Sequence, residues 1–68
     1  MNMKLKKGLK FIQDNTIHCE VIDIFQQRKI DKIKILKNDK IVIYDLICFQ
    51  KSFSLSLELK TKSFKLIQ

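Results

Sequence analysis

The 68-residue sequence has no proline, no tryptophan and one glycine, Gly8. Without proline no turn has a pre-set φ, and with one glycine only one position enters left-handed geometry without steric cost. Turns therefore fall to Asn, Asp, Gln and Lys. A lone glycine also excludes a glycine-rich loop that cradles phosphate. Histidine occurs once, His18, and cysteine twice, Cys19 and Cys48. Three soft ligands do not complete a four-ligand zinc site, and the cysteine spacing matches neither a zinc motif nor a disulfide scaffold. Both cysteines sit in apolar runs and are expected as buried free thiols. The acidic residues are scattered, with no calcium-loop pattern. No cofactor and no metal are expected. His18 and Cys19 are strand neighbours and point to opposite faces. Pairing His18 with Cys48 lacks a third orienting group and an oxyanion loop, so the expectation is a binding protein and not an enzyme. Lys or Asp interrupts every apolar run before it reaches a membrane span. No apolar stretch near the start has the length of a signal-peptide core. The expected setting is cytoplasmic.

What the chain has in quantity is alternation. Ile33 and Ile35 alternate with Lys32 and Lys34; Phe53, Leu55, Leu57 and Leu59 with Ser54, Ser56 and Glu58; Phe64 and Leu66 with Ser63 and Lys65. Period two assigns the two sets to opposite faces of a strand. Strands are expected at 9–13, 17–25, 30–36, 41–46, 53–59 and 64–67. Asp14-Asn15-Thr16 and Lys37-Asn38-Asp39-Lys40 read as turns. In the second strand Ile17, Cys19 and Val21 share one parity and Ile22 and Ile24 the other, so a β-bulge near Val21 and Ile22 is expected. In the fourth, Ile41 and Ile43 are expected inward, Val42 and Tyr44 outward. Residues 45–51 run through Leu46, Ile47, Cys48 and Phe49 without alternation, which fits a short helical turn or a buried crossover.

The expected fold is all-β, a small barrel of five or six antiparallel strands occupying residues 9–68, preceded by a basic N-terminal arm at 1–8. The order of a short strand, a long bent strand, two hairpin strands, a helical turn and a last strand resembles SH3-like small barrels over most of the chain. The resemblance is one of strand order and carries over no functional residue.

The formal net charge is +7, from 14 basic and 7 acidic residues, and it is segregated. Residues 1–10 hold four lysines and no acid, 11–25 three acids and no base, and 26–40 six bases against two acids. A field of this sign attracts polyanions. Lys32 and Lys34 share a face, with Arg28 and Lys29 before them and Lys37 after. With Lys6, Lys7 and Lys10 they form a candidate phosphate-contacting set whose binding falls with salt. Tyr44, outward by parity, is the candidate stacking platform. A single arginine leaves little capacity for base readout. The leading expectation is a small basic protein that associates with DNA or RNA. The second is a protein-interaction module, an inhibitor or accessory subunit, docking on an acidic surface of a larger enzyme, for which a nucleic-acid-processing enzyme is a natural target. Ile12, Val42, Leu46 and Ile67 fall off core parity; exposed together they would form an apolar patch for a protein partner or a homodimer.

Overall fold

The structure, a computed structural model, describes residues 5–67. It comprises β1 (Lys10–Gln13), β2 (Ile17–Gln27), β3 (Ile30–Lys37), β4 (Lys40–Asp45), α1 (Leu46–Leu59) and β5 (Phe64–Leu66). The five strands form one antiparallel sheet in the order β4-β3-β2-β1-β5. β-branched residues fill the long strands, where their stiff χ1 suits a pleated surface.

Two differences from the sequence expectation matter. First, residues 53–59 are helical. The run 46–59 contains one β-branched residue, Ile47, and four leucines, which are good helix formers. Phe49, Phe53 and Ser56 are its buried positions, with Leu46 and Leu57 packed beside them. These lie three or four apart, on one helical face. The unalternating stretch 46–49 is simply the first turn of this helix. Leu55 and Leu59, which strand parity would bury with Phe53, are 54% and 63% exposed. The helix ends at Lys60, whose φ of 55° is left-handed, and the Thr61 N–H closes it onto the Ser56 carbonyl at 3.0 Å.

Second, the sheet is open. β4 and β5 are its two edges, and the chain joins them through α1, which packs against β3, β4 and β5 on one face. With 14 residues instead of one turn, the connection forms a second layer where a barrel would need strand pairing.

The expected bulge is present. The β2–β3 register shifts between Val21 and Asp23, so that Val21 pairs with Ile35 and Ile24 with Ile33. Ile22 is the extra residue, and both halves of β2 then offer an apolar side chain to the same core.

That core is aromatic. Phe11, Phe49, Phe53 and Phe64 each touch the other three, with ring centroids 5.0–6.1 Å apart. Leu5, Cys19, Val21, Ile33 and Ile35 complete it. Each buried Phe contributes roughly 1.5–3 kcal/mol from apolar burial. Leu5 belongs to the segment expected as a basic arm. It is buried, and its N–H donates to Gln50 Oε1 at 3.2 Å. Gly8, at φ +91°, donates its N–H to the Val21 carbonyl at 2.8 Å. Residues 5–8 are thus tied to the body; residues 1–4 lie outside the described residues.

Candidate binding face

One sheet face carries α1 and the other carries nothing from the described residues. Ladder register assigns the side chains. The pairs Phe11↔Cys19, Val21↔Ile35, Ile24↔Ile33 and Ile33↔Tyr44 lie on the helix side. The pairs Ile12↔His18, Lys10↔Glu20, Asp23↔Lys34, Phe25↔Lys32, Lys34↔Ile43 and Leu36↔Ile41 lie on the open side.

This corrects the fourth strand. Ile41 and Ile43 face outward, 56% and 49% exposed, while Val42 and Tyr44 face the helix. Both parities of 41–44 are apolar, so alternation does not choose between them. The two-residue turn Asn38-Asp39 does: it pairs Lys37 with Lys40 and hence Ile35 with Val42. Tyr44 consequently packs on Phe49, centroids 5.0 Å apart, and Lys37 Nζ lies 4.8 Å over its ring. Its ring is a core wall, which removes the reason for reading it as an outward stacking platform.

The candidate lysines do not form one stripe. Lys6 and Lys7 are exposed in the segment before β1. Arg28 and Lys29 are the tip of the β2–β3 hairpin, both left-handed at φ 52° and 65°. Lys37 points to the helix side. Lys10, Lys32 and Lys34 share the open face, and each has an acid directly across the ladder: Glu20, Asp45 and Asp23. Lys32 donates to Asp45 Oδ1 in an ion pair, and Lys34 Nζ also sits 5.7 Å from the Phe25 ring centroid. Opposite charges in register stabilise the ladder and lower the positive potential available to a phosphate.

Between those matched charges, the open face also presents apolar groups. Ile30, Ile41, Ile43 and Ile67 are exposed, and Phe25, Leu36 and Ile12 are half-buried beside them. Of the four residues anticipated as a patch, Ile12 and Ile67 belong here, whereas Val42 and Leu46 are half-buried on the helix side. Ile30 and Leu36 follow from the parity of Lys32 and Lys34, whereas Phe25, Ile41 and Ile43 were not legible from parity. Counting across the two-residue turns at 28–29 and 38–39 locates these three.

Among the described residues no group of three His, Cys, Asp or Glu side chains is placed to hold a metal. Cys19 is buried, and burial pushes its thiol pKa up against the opposing pull of Lys37. Cys48, expected to be buried, is exposed on α1, on the other side of the sheet from His18. No helix among the described residues is long and apolar enough to cross a membrane. No protein-family model, curated protein or solved structure matches the chain.

Proposed function

We propose that this chain is a small binding protein whose open sheet face docks on a larger protein with an apolar centre and an acidic rim. The observation that carries the reading is the combination on one face of four exposed isoleucines with three lysines, Lys10, Lys32 and Lys34, that already have acids opposite; Lys65, across from Ile12, is the open-face lysine without one. Contiguous exposed apolar surface marks an interaction site. The acidic rim follows from charge complementarity. The chain is +7 overall, and among the described residues Lys6, Lys7, Arg28 and Lys29 make no ion pair. The same charge opposes face-to-face association of two copies. The SH3-like resemblance in strand order accords with a binding module, without supplying the partner.

Phosphate binding remains the second reading, now centred on the Arg28–Lys29 tip with Lys6 and Lys7. Its specific support is conformational. Two long basic side chains occupy left-handed positions that Asn-Gly fills at lower cost.

The test is affinity purification from the native host at low and high salt, with wild type and Ile41→Lys/Ile43→Lys. A stoichiometric partner held at high salt, lost in the double variant and protecting β3–β4 amides from exchange supports docking. Self-association of the wild type through this face overturns it. So does salt-sensitive binding to random polynucleotide that persists in the double variant without any salt-resistant partner.

A further inference from the structure

The second candidate site lies on the opposite side of the sheet and is independent of the docking face. A groove of about 350 Å³ opens between α1 and the helix-side ends of β1, β3 and β4. Phe49, Phe64 and Tyr44 supply aromatic walls, and Cys48 and Ser52 stand on its α1 side. This volume is within the range of small-molecule sites.

Two polar groups in the lining lack a hydrogen-bond or ion-pair partner among the described residues. Gln13 Oε1 is buried and accepts no hydrogen bond. A buried acceptor without a donor is destabilising, and a donor reaching it from the groove would restore the missing hydrogen bond. Lys37 Nζ is held over the Tyr44 ring, and its ladder partner is Lys40, a like charge. No carboxylate among the described residues pairs with it; the one acid of the groove, Asp45, is engaged by Lys32. The groove therefore presents a cation from β3, an acceptor from β1 two strands away, and aromatic walls from α1, β4 and β5.

We propose that this groove binds a small aromatic carboxylate carrying a hydroxyl or amide donor at its far end. The carboxylate meets Lys37, the ring stacks against Phe49 and Phe64, and the donor satisfies Gln13 Oε1.

The probe is 4-hydroxyphenylacetate. Phenylacetate lacks the donor, and tyramine carries an ammonium in place of the carboxylate. Cys48 is the exposed thiol and reports occupancy through its rate of alkylation by iodoacetamide. Millimolar 4-hydroxyphenylacetate is expected to slow alkylation and to shift the amide resonances of Phe49 and Phe64. Phenylacetate should bind about tenfold more weakly, and tyramine should give no protection. Lys37→Met should weaken the probe at least about tenfold, and Lys37→Arg should retain it. Equal protection by all three compounds overturns the proposal. So does unchanged binding to Lys37→Met, or the absence of any shift at Phe49 and Phe64.

Discussion

Replacing Ser56 by alanine separates the helical account of residues 46–59 from a strand account by a measurable margin. Ser56 is 5% exposed, and its Oγ accepts the Phe64 N–H at 2.9 Å while touching Thr61 Oγ1. The hydroxyl therefore fastens the end of α1 to the first residue of β5. Without it the Phe64 N–H is buried and unpaired, a loss of roughly 1–3 kcal/mol. Alanine is the better helix former by roughly 0.5 kcal/mol, which offsets part of that. The net expectation is a destabilisation of about 1–2 kcal/mol. A domain of this size has roughly 3–10 kcal/mol in total, and the melting temperature should fall by roughly 5–15 °C. Ser54 is the internal control. It lies about 200° away around the helix, and its Oγ accepts from Gln50 Nε2 at 2.9 Å in a half-buried setting. Ser54→Ala should remain within about 0.5 kcal/mol of wild type. On a strand the two serines would share one face and behave alike. Thermal and urea unfolding followed by circular dichroism decide the matter; equal melting temperatures for the two variants would refute the reasoning.

Other perturbations follow from the same geometry. Phe53→Ala removes a fully buried ring of the aromatic tetrad and should cost about 3–5 kcal/mol, enough to abolish the near-ultraviolet dichroism of the packed core near room temperature. Arg28→Asn/Lys29→Gly relieves two left-handed basic residues and should raise stability by about 1–2 kcal/mol, read as a higher urea midpoint; a lower midpoint contradicts it. Cys19 gives a pH dependence. Its folded pKa lies above the ordinary 9.0 because of burial. Its contribution to stability is then complete below that value, and is lost as pH rises, because the unfolded chain gives up its proton first. Urea midpoints of wild type should fall relative to Cys19→Ala across that window, and parallel curves would count against the burial.

The strands were readable wherever only one parity was apolar. Ile33 and Ile35 against Lys32 and Lys34 permit a single facing, and so do Phe64 and Leu66 against Lys65. The bulge was readable because the parity of β2 reverses between Val21 and Ile24, and one core requires an extra residue there. Two features escaped for definable reasons. Phe53, Leu55, Leu57 and Leu59 satisfy period two, but Phe49, Phe53 and Ser56 satisfy the helical period, and a buried serine gives no hydropathy signal. The strongest clue was the near-absence of β-branched residues from 46 to 59. Residues 41–44 are apolar at both parities, and their facing depends on hairpin register, a non-local property that the turn length at 38–39 encodes. The candidate lysines were placed by proximity in sequence. Hairpin geometry separates them, because a strand lysine and a tip lysine a few residues apart project in different directions, and because Lys10, Lys32 and Lys34 each meet an acid from a neighbouring strand.

The central claim is that the uncovered face works through its isoleucines, with lysines in supporting roles. Its most direct test is retention of a bound partner at about 1 M salt, where charge interactions beyond roughly 3 Å are screened. The account predicts that wild type keeps its partner under that condition, and that the lysine substitutions at Ile41 and Ile43 release it. Loss of everything bound to wild type at that ionic strength, with equal low-salt binding by both proteins, would contradict it.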